Sequence, residues 1–124
     1  MSLWKPLTVV SAEDPVSGAL ILRLAGALTD SPESYAVLER VRTELQKQPR
    51  TIVLNLERVD AVTSSGIGVI AAAHSSAVSR GAKVCVTSLS PRVKALFHLV
   101  HLHTLIPEFD SEAGAFTGHE RSGH

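Results

Sequence analysis

A chain of 124 residues, 44% hydrophobic and 19% charged, is long enough for one globular domain with a single core and too short for two. Twelve basic and twelve acidic side chains cancel, leaving no electrostatic footprint for nucleic acid or an anionic membrane. Cys85 is the single cysteine and has no internal disulfide partner, and no apolar run approaches the roughly 18 residues of a membrane span. With no signal peptide in view either, the expectation is a cytoplasmic protein without direct membrane insertion.

In chain order, residues 7–11 (LTVVS) and 19–24 (ALILRL) are short β-branched or leucine-rich runs. The turn residues and acids of SAEDPVSG between them predict an amino-terminal strand pair joined by a loop. In the next segment Ser31 can cap a helix, Pro32 suits its first position and Glu33 favours its positive end. Tyr35, Leu38, Val41 and Leu45 recur at helical spacing, so an amphipathic helix is expected to run until Pro49 stops it. Its Arg40, Arg42 and Lys47 alternate with Glu39 and Glu44, the pattern of a solvated face.

The run TIVLNL, residues 51–56, is too short for a helix without a polar face and predicts a buried central strand. A second helix is expected from near Ser64 or Ser65 to Gly81, with Ile67, Ala71, His74 and Val78 along its apolar stripe. AKVCVTSL, residues 82–89, reads as a second buried strand, holding Cys85 inert. Strand, helix and strand with short connections predict a right-handed βαβ unit with parallel strands. Ser90-Pro91 repeats the cap-plus-proline start, and Val93, Leu96, Phe97 and Val100 give a short helix. TLIPEF reads as an edge strand, because Pro107 cannot donate to a ladder, and a weak final helix is expected over residues 111–116.

The junction VDAVTSSGIGVIAAAH, residues 59–74, places Ser64 and Ser65 between two apolar runs with Gly66 and Gly68 directly behind. At a helix amino terminus the backbone N–H groups are unpaired and the dipole is positive. One serine therefore reads as an N-cap. The other is exposed at a strand-to-helix tip, where Gly66 and Gly68 leave the surface flat for another protein. A phosphate there brings roughly −1.5 to −2 charges to the positive helix end, which the fold tolerates and a docked partner does not.

TIVLNL, the turn TSSGIG, RGAKV and SPRVKALF, in this order and spacing, resemble the STAS domain, in particular the bacterial anti-sigma-factor antagonists, and the likeness extends upstream to LILRLAGALT. Pattern and likeness together predict a single α/β domain over residues 1–124, with a core at about 7–116 and a flexible tail at 117–124. Its four- or five-stranded mixed sheet has helices from near Pro32, Ser65 and Pro91 mainly on one side. The other side is expected to be shielded less completely, by Trp4 and loop residues, which favours self-association and leaves a homodimer open.

The resemblance implies a non-enzymatic binding module without a cofactor. Ser64 matches the serine phosphorylated by a partner kinase, in many cases the anti-sigma factor itself, and a phosphatase reverses the mark. The unphosphorylated antagonist binds the anti-sigma factor and frees the sigma factor. Thr29, Asp30, Thr63, Ser64, Ser65, Gly66 and Ile67 form the expected docking surface. Two positions depart from the family pattern: Thr63 replaces the aspartate before the phosphorylated serine, and Thr29 replaces another acidic residue. Their loss implies altered partner specificity or an unphosphorylated serine, with Thr63 a second-ranked acceptor. It also motivates the alternative of a constitutive scaffold subunit in a signalling or lipid-transport complex.

Other constellations rank lower. His98, His101 and His103 invite a metal reading, but their spacing crosses a helix end without a carboxylate or thiolate partner. His101 instead matches a helix-ending glycine of the family and is expected to occupy that strained stop. His74 and Ser64 are ten residues apart on a helix, about 15 Å, so they form no catalytic pair. Gly66-x-Gly68 has neither a third glycine nor a following lysine, which puts a nucleotide-binding or enzymatic reading last.

Overall fold

In the computed structural model, which describes residues 5–117, a strand pair is followed by alternating helices and strands in one α/β domain. The strands are β1 (Thr8–Glu13), β2 (Leu20–Leu28), β3 (Thr51–Val62), β4 (Lys83–Thr87) and β5 (Glu108–Phe109). The helices are α1 (Pro32–Leu45), α2 (Ser64–Val78), α3 (Pro91–Leu99) and α4 (Glu112–Thr117), with one 3-10 turn at Leu102–Thr104. The sheet order is β1-β2-β3-β4-β5; β1 is antiparallel to β2 and every other pair is parallel. The expected strand pair, the parallel β3-α2-β4 unit and the mixed sheet are all present.

Alternation along the strands sorts side chains onto two faces. Leu22, Leu24, Ile52, Leu54, Val84 and Val86 meet α1, α2 and α3 in the main core, where Val41, Ile70 and Phe97 are fully buried. Ala19, Ile21, Val53, Cys85 and Phe109 form a small second cluster on the opposite face, against Ala115 and Phe116 of α4. The cover of that face among the described residues is therefore α4 rather than loops. Trp4 and the tail from Gly118 lie outside the described residues.

Three helix stripes differ from expectation at their ends. Tyr35 is 46% exposed, and Ser34 and Val37 face the sheet instead; Val78 is 55% exposed, with Ala73 and Ala77 buried. Val100 is 46% exposed because it is the residue on which α3 ends. On α1 and α2 the buried face is rotated from the expected stripe, so that Ser34 and Ala77, each one residue before the exposed side chain, are the ones that lie inward. On α1, Arg40 and Lys47 pair with Glu44 and Arg42 with Glu39, as the charge pattern predicts.

β3 is twice as long as TIVLNL. β4 ends at Thr87, opposite Asn55, so the second half of β3 pairs only with β2, through two irregularities that break its alternation. Glu57, Arg58 and Asp60 are exposed there. β5 is an edge strand of two residues, and Pro107 contributes its carbonyl, which accepts from Val86 N–H at 3.0 Å. Gly81 stops the α2 segment in the left-handed region at φ +75°.

His101 also sits in the left-handed region, at φ 62°, between α3 and the 3-10 turn. A non-glycine residue there costs about 1–2 kcal/mol relative to its preferred wells. His101→Gly is therefore expected to raise stability by about 0.5–1 kcal/mol after the entropy of the unfolded glycine is set against the relieved strain. Urea unfolding checks this, and a lower midpoint would show that the ring's tilted contact with His103, 6.0 Å between centroids, outweighs the strain.

Candidate functional site

β2 and β3 end side by side, with Leu28 paired to Val62. The chain leaves both strands towards a helix start, so the first turns of α1 and α2 stand together at one end of the sheet. At α1, Ser31 is the N-cap and its hydroxyl accepts the Ser34 N–H. Ser34 is buried, accepts the Thr29 N–H at 2.9 Å and receives the Ser31 hydroxyl proton, which closes the turn. The sequence reading missed this serine; the S-x-x-S spacing from Ser31 was its one signal.

At α2, the N-cap is Thr63 and not a serine of the pair. Its extended backbone and hydroxyl, which accepts the Gly66 N–H at 3.2 Å, satisfy one orphan donor of the helix. The Thr63 N–H itself donates to Leu28 carbonyl at 3.1 Å. Ser64 is then the first helical residue and is exposed, and Ser65 is half-buried. The positive helix end has no acidic side chain in its first turn, so the field at Ser64 favours an anion.

The two glycines differ. Gly66 is buried, and a Cβ on it would fall 2.7 Å from the Leu28 carbonyl carbon and nearer still to its oxygen. Gly68 is exposed, and a Cβ there would meet nothing within 4 Å. Gly66 therefore seats the helix instead of flattening a docking surface, which corrects the reading from sequence. Ile67, 9% exposed, likewise faces the core. Of the seven expected docking residues, Thr29, Asp30, Thr63, Ser64 and Ser65 present surface, and Gly66 and Ile67 support them from beneath. Next to Asp30 stands Tyr35, whose hydroxyl donates to the Asp30 carboxylate, and this bond raises the phenol above its ordinary range. A notch of about 130 Å³ between Lys5, Pro6, Thr29 and Ser31 adjoins the same corner.

The histidines lie elsewhere. His98 and His103 stack with ring centroids 4.2 Å apart and planes 4° apart, so their in-plane lone pairs run in parallel planes and do not converge on an ion. His98 Nε2 is 2.7 Å from Glu108 Oε1, and Lys94 Nζ is 3.4 Å from Glu108 Oε2, which accounts for a carboxylate that is 3% exposed. Among the described residues no group of His, Cys, Asp and Glu is arranged to hold a metal ion. Cys85 is buried, and desolvation pushes its thiol up to about 11.

Thr63→Ala is expected to cost about 1 kcal/mol through loss of the cap. Gly66→Ala is expected to destabilise by about 1–3 kcal/mol, because helix or strand must shift. Gly68→Ala is expected to stabilise by up to about 1 kcal/mol, the propensity difference at an open helical site. Urea unfolding of the three variants checks the ranking; equal effects at Gly66 and Gly68 would contradict the seating described.

A family model for the STAS domain matches residues 12–115. The chain is 29% identical over 100 residues to an anti-sigma F factor antagonist of Paenibacillus polymyxa, which spans 81% of this chain and 86% of that protein. Among solved structures, an anti-sigma factor antagonist from Mycobacterium paratuberculosis matches with a TM-score of 0.78 at 19% identity, over 90% of this chain and 92% of that one. The Bacillus cell fate determinant SpoIIAA in its phosphorylated form matches with a TM-score of 0.62 at 20% identity, over 90% of this chain and 98% of that one. At these identities the solved structures speak for the fold, and the family match spans both strand-to-helix junctions. The chain belongs to the STAS domain family.

Proposed function

We propose that this protein is an anti-sigma-factor antagonist, a non-enzymatic binding module switched by phosphorylation of Ser64. The observation that carries the reading is the division of labour at the start of α2. Thr63 is committed to the cap, Gly66 and Ile67 are committed to packing, and Ser64 stands exposed at the positive helix end. This favours Ser64 over Thr63 as acceptor, because phosphorylating Thr63 would sacrifice the cap. The anti-sigma F factor antagonist among the relatives supports the antagonist part of this reading.

In this reading the partner is an anti-sigma factor with serine kinase activity, and it docks across Thr29, Asp30, Thr63, Ser64 and Ser65. A phosphoryl group on Ser64 is compatible with the helix dipole and incompatible with a closely packed partner, so the modification ends the complex without unfolding the domain. A phosphatase restores binding. No helix among the described residues is long and apolar enough to cross a membrane, and the proposed place of work is the cytoplasm. Thr29 and Thr63 make the docking surface less acidic than the family pattern, which in this reading alters its partner specificity.

The test uses wild-type, Ser64→Ala and Ser64→Asp baits on lysate of the source organism, with bound proteins identified by mass spectrometry. The expected result is capture of a kinase-like protein by the first two and its loss with the third. Identical partner lists would overturn the switch and favour a constitutive scaffold. Ser64→Asp is also expected to unfold at no lower urea concentration than the wild type, since the new charge lies at a helix amino terminus.

A further inference from the structure

The two sheet faces are covered very unequally. Three helices of 14, 15 and 9 residues bury the main core, whereas the second cluster is covered, among the described residues, by the six residues of α4. A helix of that length has no independent stability, and it contains Gly114. Its apolar contacts, Ala115 and Phe116, are only partly buried. What fixes it is Glu112 at its first turn. The carboxylate receives Arg23 Nε and Nη2 at 2.9 Å each and Asn55 Nδ2 at 2.6 Å. Arg23 and Asn55 are register partners on β2 and β3, and Thr87 is the partner of Asn55 on β4, so a polar row crosses the sheet beside the apolar cluster. The Thr87 hydroxyl is fully buried and has no hydrogen-bond partner. A cleft of about 700 Å³ runs along this row, lined by Arg23, Asn55, Arg58, Asp110 and Glu112 among others.

We propose that α4 is a displaceable latch, clamped by Glu112 between Arg23 and Asn55, that opens as a unit while the sheet and α1–α3 stay folded and thereby bares the strip Ile21, Val53 and Cys85. The main core does not depend on it, since none of the α4 residues belongs to that cluster. The Arg23 hydrogen bond holds the Glu112 carboxyl below its ordinary value of 4.5, against the opposing effect of burial and with help from Asn55. The clamp is therefore at full strength above about pH 4.5 and weakens as pH falls through the lower folded value. Arg23 and Asn55 face Glu112 directly, and Glu57, Arg58 and Asp110 line the same cleft.

Cys85 reports the opening, because its buried sulfur lies in the cluster that α4 covers and the chain contains no other cysteine. The experiment measures the rate at which Ellman's reagent labels Cys85 in the full chain at pH 8, across urea concentrations below the unfolding transition. The expected result is a wild-type rate nearly independent of urea, the mark of a local opening, and a rate about tenfold higher in Glu112→Gln with the same weak urea dependence. Labelling that rises with urea as steeply as global unfolding would overturn the latch. So would an unchanged rate in a folded Glu112→Gln. If that variant does not fold, the wild-type urea dependence decides alone.

Discussion

The Leu28 carbonyl, at the end of β2, has two neighbours that fix the rest of this corner. It accepts the Thr63 N–H at 3.1 Å, and it lies against Gly66 where any side chain would collide with it. The first contact ends β3 and starts α2; the second sets the depth at which α2 settles on the sheet. With both satisfied, Thr63 falls into the cap position, Ile67 and Ile70 turn into the core and Ser64 turns out. The exposed serine is thus a consequence of a backbone contact two residues further along the helix.

The helical side of the sheet was largely legible in the sequence because its signals are local. Ser31-Pro32 and Ser90-Pro91 each carry a cap and a proline whose fixed φ suits the first helical position, and both helices begin where those pairs say. The left-handed stop at His101 was expected from the family likeness, which has a helix-ending glycine at that place, and not from any local signal. The cap of α2 was not legible in the same way. Thr63, Ser64 and Ser65 each offer a hydroxyl, and what separates them is the Leu28 carbonyl, which belongs to another strand and leaves no mark on the local sequence.

Tertiary context also accounts for the other differences. Tyr35 and Val78 obey a helical period, but packing turns the neighbouring faces through Ser34 and Ala77 inward, and Val100 is the residue on which α3 ends. The expected strand stopped at Leu56, where the apolar run of TIVLNL ends, yet it continues to Val62 because β2 extends beside it. The role of α4 was hidden for a different reason: six residues with a central glycine carry little helical signal, and the contacts that hold them come from Arg23 and Asn55, 89 and 57 residues away along the chain.

The unequal length of β3 and β4 has an effect on how this molecule meets others. Beyond Asn55 the flank of β3 that faces away from β2 carries no paired strand among the described residues, a template onto which a foreign strand could add. The overhang is guarded by Glu57, Arg58 and Asp60, all exposed, and by the irregular register that twists it away from a flat edge. An unguarded flank of this kind would let copies polymerise strand to strand. The charged overhang keeps the sheet from extending along this flank.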